Sequence, residues 1–262
     1  MSQNEHDLDA ASMERIVPDE LSANETTGAE TLRLHLERYL FAKDSLVPGT
    51  VLDIACGVGY GTPLLAQNAQ ITSALGVDIS AASVEYALQR YGSERISYTC
   101  CNAMTFSPSQ KFDNIVSLET IEHVDHPQAF MAHMVSLLRP GGRLIASVPV
   151  TPSVDANPHH KSNFSKKGFL RMGEALELRF VTSLHQVQHF SPTAIAMKKE
   201  SRSAGLRGNI GSFYLKHPSH FALRVLSTLR DGFVNKYVTA VWDNPGAGKA
   251  EANTPEDKVA HD

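Results

Sequence analysis

Apolar runs and helical spacings alternate along the chain from about residue 30 to residue 150. Leu32, Leu34, Leu36, Leu40 and Phe41 form most of one face of a helix over Glu30 to Leu46. Val51, Leu52 and Ile54 then supply the short continuous run of a strand covered on both faces. Thr62 to Ala69 reads as a helix, and Ala74 to Ser80 as a second strand. Ser80 is a good N-cap for a helix from Ala81 to about Arg90. Ile96–Cys100 makes a third strand and Phe112–Leu118 a fourth. Leu137 to Gly142 ends a further helix at a turn, and Arg143–Val148 is the fifth strand. Strands and helices in strict alternation predict an α/β fold, a Rossmann-like, doubly wound and mostly parallel sheet.

The first strand breaks into Ala55-Cys-Gly57-Val-Gly59-Tyr-Gly61, which removes side chains where a ligand must lie against backbone. This is not the phosphate-binding Gly-x-Gly-x-x-Gly, because Thr62 stands three residues after Gly59. An acid, Asp53, lies four residues before the first glycine and suits a ligand carrying an ammonium group. A second acid, Asp78, ends the next strand, where a carboxylate can accept from both ribose hydroxyls. Together with Asn102-Ala103 after the third strand, these segments resemble the class I S-adenosylmethionine (SAM) methyltransferases. The resemblance implies SAM as cofactor, held by Tyr39, Asp53, Gly57, Gly59, Asp78, Ile79, Asn102, Ala103 and Glu119. It places Asn102, in the stead of the commoner Asp, as an acceptor for the adenine amino group.

Two further segments narrow the likeness. His35-Leu-Glu-Arg38-Tyr39 before the first strand, and Asn157-Pro-His159-His160 with Phe164-Ser165 after the fifth, are similar to a subgroup found among bacterial polysaccharide and lipopolysaccharide biosynthesis proteins. In that subgroup Arg38 and Tyr39 would approach the methionine end of SAM. The likeness covers about residues 30 to 190.

The end of the fourth strand carries Glu119-x-x-Glu122-His123. A helix starting near Thr120 would set Glu119, Glu122 and His123 on one side, a set suited to a divalent ion such as Mg²⁺ with open positions. The pattern is similar to that of ubiquinone-pathway O-methyltransferases and small-RNA 3′-end 2′-O-methyltransferases, where it holds a metal. His160 is the candidate fourth ligand and His159 its alternate. Without a metal, His123 or His160 could serve as the base that takes a hydroxyl proton, or the group could be structural.

Composition bounds the rest. The chain has 262 residues, 42% of them apolar, enough for one sizeable core and a smaller appendage. A net charge of −4 disfavours a nucleic-acid binder with a broad basic face. Residues 1–27 read as a polar mobile arm without a signal peptide, 28–195 as the SAM-binding domain, 196–243 as a partly helical extension and 244–262 as a disordered tail. Cys56, Cys100 and Cys101 read as packed, reduced thiols of a cytoplasmic protein. The loop from Thr151 to Phe164 reads as a substrate lid, with Lys161, Asn163 and Lys166 offering polar contacts. Within 201–243, Arg202, Arg207, Lys216, Arg224, Arg230 and Lys236 accompany Phe221, Leu223, Val225, Leu226 and Leu229, a pattern that fits either a docked helix or contact with a membrane surface.

The expected function is O-methylation of a sugar, glycan intermediate or other small-molecule hydroxyl. The alternatives are a non-catalytic SAM-binding module, an N-methyltransferase and an RNA 2′-O-methyltransferase. A nicotinamide enzyme conflicts with Thr62. The pattern assigns no oligomeric state.

Overall fold

The computed structural model describes residues 16–20, 26–189 and 207–246. Seven strands form one sheet in the order β3-β2-β1-β4-β5-β7-β6. They are β1 (Gly49–Ile54), β2 (Ile71–Asp78), β3 (Ile96–Cys100), β4 (Phe112–Ser117), β5 (Leu138–Pro149), β6 (Arg179–His189) and β7 (Val234–Asp243). The first five are parallel, and β7 runs antiparallel between β5 and β6. The helices are α1 (Thr26–Asp44), α2 (Thr62–Ala66), α3 (Ala81–Tyr91), α4 (Pro127–Ser136), α5 (Lys166–Glu174), α6 (Ile210–Lys216) and α7 (Pro218–Asp231).

Strand alternation sorts the core onto two faces. Leu52, Ile115, Leu144, Ala240 and Trp242 face one cluster with Phe130 and Met134 of α4 and Phe169 of α5. Their neighbours Val51, Val116, Ile145 and Val241 face the other, with Tyr39 and Ala42 of α1 and Leu65 of α2. Both faces are therefore covered, as the apolar runs predict. Gly173 of α5 has no room for a side chain, because a Cβ there would run into the buried indole of Trp242. Gly173→Ala should therefore cost about 2 kcal/mol through overpacking, read as a Tm lowered by roughly 4–8 °C in thermal unfolding.

The sheet departs from the predicted elements in three places. The SAM-binding unit does not end at residue 195, since Val234–Asp243 returns as an interior strand of the same sheet. β6 and β7 are separated by 44 residues carrying α6 and α7, so the hairpin that joins them is not local in sequence. Helix α4 stops at Ser136, and Leu138 already pairs with Phe112, so β5 starts before the Pro-Gly-Gly turn rather than after it.

At the amino end, Ile16 and Val17 are buried and Asp19 accepts from Tyr86 and Arg90 of α3, so this part of the expected mobile arm is packed. Residues 1–15 and 21–25, Arg202 and most of the expected tail (247–262) lie outside the described residues. Among the three cysteines, all free, Cys56 is buried but Cys100 is exposed, contrary to the packed reading. β3 is the sheet edge, and of its five residues only Tyr98 is buried. No helix among the described residues is long and apolar enough to cross a membrane.

Candidate active site

The glycine loop leaves β1 at the carboxyl edge of the sheet, beside the ends of β2 and β4, where open α/β sheets bind ligands. A cavity of about 100 Å³ lies against it, lined by Ile16, His35, Arg38, Tyr39, Gly57 and Glu119 among others.

The three glycines of the loop do different work. Gly57 has φ +58°, and a Cβ there would meet nothing within 4 Å, so its backbone is open to a ligand. At Gly59 a Cβ would strike Ala87 and Tyr98, and at Gly61 the ring of Tyr39. These two are needed for packing, not for ligand approach as the sequence suggests. Tyr98 also donates its hydroxyl to Gly59 O at 2.8 Å, locking the loop to β3.

Asp53 is 1% exposed and does not line the cavity. Its Oδ2 accepts from Thr62 Oγ1 at 2.7 Å, and both oxygens lie 3.4 Å from the Tyr39 hydroxyl. Burial outweighs these donors and pushes its carboxyl up to about 7. A folded pKa above the ordinary 3.8 means that the folded state holds a proton the unfolded chain gives up. The associated stability is full below pH 4, falls as pH rises towards 7, and above that leaves a buried charge. Asp53→Asn should therefore raise stability at about pH 8 by on the order of 1 kcal/mol, with the gain closing towards pH 5. Thermal unfolding across that range checks it.

Asp78 ends β2 with Oδ2 accepting from Gly57 N at 2.8 Å and Oδ1 from Ser80 N at 2.9 Å, which ties the glycine loop to β2. Ser80 caps α3 as predicted, accepting from Ser83 N. Ile79 is exposed beside it. Asn102 and Ala103 follow β3, and Asn102 Oδ1 accepts from Met104 N at 2.9 Å, so its carbonyl is partly committed to its own turn.

Arg38 is buried, stacked over the Tyr237 ring at 4.4 Å, with Nη1 4.0 Å from Glu119 Oε1. Its Nε has no hydrogen-bond partner among the described residues. His35, one turn earlier on the same face of α1, lies 2.8 Å from the Tyr60 hydroxyl. Burial, aided by Arg38, drives the His35 pKa down to about 3. His35, Tyr60, Tyr237 and Ile16 carry no assignment from sequence. The i, i+3 and i+4 spacing of His35, Arg38 and Tyr39 is the signal for the first. Tyr237 lies on a strand far away in sequence and Ile16 in a segment read as mobile.

Glu119 does not join Glu122 and His123. A 3-10 turn, Ile121–His123, replaces the expected α-helix, and Glu119 adopts φ +51°. That left-handed turn sends its carboxylate to Ser147 Oγ (2.6 Å) and the cavity, away from the other two. Glu122, His123 and His160 do converge, each offering a ligand atom within 4.8 Å of the others. Lys161 N donates to Glu122 O at 2.7 Å, which straps the loop bearing His160 onto this turn. His123 Nδ1 lies 3.3 Å from His159 O. A carbonyl only accepts, so Nδ1 carries the hydrogen. His160 Nδ1 is similarly engaged by Ser153 Oγ at 2.7 Å, and burial next to His123 drives its pKa down to about 3. His159 thus contributes its carbonyl, while its ring is exposed. A buried carboxylate with two imidazoles held through Nδ1 is a donor set that fits a divalent ion, with outer partners already in place.

The loop from Thr151 to Phe164 is braced from within. Asn163 Oδ1 accepts from Ser153 N and Val154 N, and Lys161 Nζ pairs with Asp125 at 2.7 Å. These side chains hold the loop rather than face a substrate. Asp155, fully buried, accepts from Arg224 Nε and Nη2 and from the Tyr214 hydroxyl, pinning the loop to α6 and α7.

A family model described as a methyltransferase domain matches residues 52–146. A ubiquinone biosynthesis O-methyltransferase of Coxiella burnetii (strain Dugway 5J108-111) is 31% identical over 113 residues, covering 42% of this chain and 47% of that protein. Phosphoethanolamine N-methyltransferase 1 of Arabidopsis thaliana is 30% identical over 149 residues, covering 52% and 28%. The chain thus spans less than half the length of these curated relatives. Among solved structures, the N-methyltransferase NodS from Bradyrhizobium japonicum WM9, in complex with S-adenosyl-L-homocysteine, aligns with TM-score 0.56 at 17% identity, covering 91% of this chain and 96% of that one. At that identity the likeness establishes the fold.

Proposed function

We propose that the chain, which a methyltransferase-domain model matches over residues 52–146, is a class I SAM-dependent methyltransferase and that it methylates a hydroxyl oxygen of a sugar, glycan intermediate or other small molecule. The observation that carries this reading is the convergence of Glu122, His123 and His160 at the turn after β4, three residues along the chain from Glu119, which lines the cavity. A module that only sensed SAM would have no use for such a cluster.

The reaction is an in-line displacement. An acceptor oxygen bonds to the methyl carbon as the carbon–sulfur bond breaks, and the hydroxyl proton leaves. The protein must hold both partners in line, exclude water and accept the proton. Arg38, buried and facing the cavity, fits the carboxylate of the methionine portion. Gly57 lets that portion lie on the backbone. Where no ion is bound, His160, neutral at physiological pH, is the group that would take the hydroxyl proton. Glu122, His123 and His160 would hold a divalent ion, which when bound gathers acceptor oxygens and favours their ionised form.

The ubiquinone-pathway relative acts on oxygen and the phosphoethanolamine relative on nitrogen, so the acceptor atom is the point to test. Transfer from methyl-labelled SAM should be assayed on hydroxylated and amine acceptors, with and without chelator. The proposal predicts O-methyl products, lost on chelation and in His160→Ala. Transfer to amines unaffected by His160→Ala would overturn it, and SAM binding without transfer to either class would favour the sensing module.

A further inference from the structure

Helix α7 is built inside out. Its inward side is polar, with Arg224 in contact with Asp155 and Ser227, Thr228 and Asp231 only half-exposed. Phe221, Val225, Leu226 and Leu229 form a stripe on the opposite side at i, i+4, i+5 and i+8, all exposed, Leu226 to 65% and Leu229 to 79%. Leu215 at the end of α6 is 88% exposed, and Phe233 after α7 is 59% exposed. Eight of the fourteen exposed large apolar residues of the described chain fall within residues 210–233. Scattered apolar residues on a surface need no explanation, but a continuous helical stripe does.

The electrostatics single out an occupant. Residues 207–236 carry five Lys or Arg and one acid, Asp231, in a chain whose net charge is −4. Asp231 is already held by Arg230 and Lys236, and among the described residues the other acid paired with the hairpin, Asp155, is buried under Arg224. A second copy of the same basic face would meet like charge. An anionic bilayer matches both features, since apolar side chains enter the headgroup boundary while nearby cations meet the lipid charge.

We propose that the α6–α7 hairpin docks the protein on the surface of an anionic phospholipid membrane. The apolar stripe lies in the interface, flanked by Lys216 and Arg230, and the helix stays parallel to the bilayer. Arg224 and Tyr214 tie the hairpin to Asp155, in the loop that carries His160. Docking therefore sets the orientation of the acceptor side of the molecule towards the membrane. Resting on the methyl-transfer reading, the acceptor class narrows to hydroxyl compounds with a lipid-soluble portion. The docking itself is independent of that reading.

The test is co-sedimentation of the full chain with vesicles of phosphatidylcholine, with and without about 30 mol% phosphatidylglycerol. The wild type should sediment with the anionic vesicles and stay free of the neutral ones, and salt should weaken it. The double variant Leu226→Ser/Leu229→Ser should partition about tenfold less, with unchanged Tm and unchanged binding of S-adenosylhomocysteine. A wild type that sediments with neither vesicle, or a variant that partitions like the wild type, would overturn the proposal. So would a stripe-dependent dimer that forms without any vesicle binding. Because cofactor binding is read separately, failure of docking is distinguishable from failure of the methyltransferase reading.

Discussion

Arg38→Met is expected to weaken S-adenosylhomocysteine binding about a hundredfold, near 2.7 kcal/mol, with thermal stability almost unchanged. The asymmetry follows from where the guanidinium sits. It is buried, stacked on Tyr237, 4.0 Å from Glu119, and its Nε lacks a hydrogen bond among the described residues. An incompletely satisfied buried cation adds little to folding, and an apolar chain of similar length can replace it at small cost. Glu119, the group left behind, keeps the Ser147 hydroxyl and some solvent. A ligand carboxylate, in contrast, loses a charge-assisted partner in a desolvated site. Arg38→Lys should recover only part of the affinity, because an ammonium cannot reproduce the planar fork or the stacking. Calorimetric titration alongside thermal unfolding separates the two readouts. A large fall in Tm with affinity intact would assign Arg38 to the fold instead.

Asp155→Asn has the largest expected effect on stability, a loss of about 3 kcal/mol, read as roughly 6–10 °C in Tm. The carboxylate is fully buried, and it accepts three charged or hydroxyl donors at 2.6–2.7 Å. Burial alone would raise its pKa, but the Arg224 and Tyr214 hydrogen bonds win and hold it below the ordinary value. The amide cancels the charge and leaves Arg224 facing a site built for an anion. The paired substitution Asp155→Leu/Arg224→Met should restore most of the stability, because both desolvation costs vanish together. With its folded pKa depressed, the stabilisation from Asp155 is complete above pH 4 and is lost as pH falls through the folded pKa. A wild-type Tm in Asp155→Asn would show that the loop and hairpin are not coupled.

The parallel half of the fold was legible because its signals are local. Val51-Leu-Asp-Ile and Ala74-Leu-Gly-Val are short, largely apolar runs followed by turn and cap signals, and Ser80 caps α3 through its own side chain. β6 and β7 escaped because their pairing spans 44 intervening residues, and because β6 alternates with polar residues as an edge strand does. At the site, Glu122, His123 and His160 were found by type and spacing. Glu119 was misplaced with them because a left-handed backbone turn, invisible to side-chain spacing, re-aims it. The roles of Gly59 and Gly61 depend on Tyr98 and Tyr39, partners that only the packing reveals. Arg224 reads in the sequence as a free surface cation, but its acid lies 69 residues earlier in a loop.

The central claim is that one crevice binds SAM and places a divalent-ion site beside it. The most direct measurement is calorimetric titration with S-adenosylhomocysteine, followed by Mn²⁺ or Mg²⁺ into that complex. The account predicts that the cofactor product binds and that about one ion per chain follows, with ion binding abolished in Glu122→Ala/His123→Ala while cofactor binding persists. A chain that binds neither would contradict the account at its root. A chain that binds S-adenosylhomocysteine but no ion would contradict its metal site and leave His160 as the base.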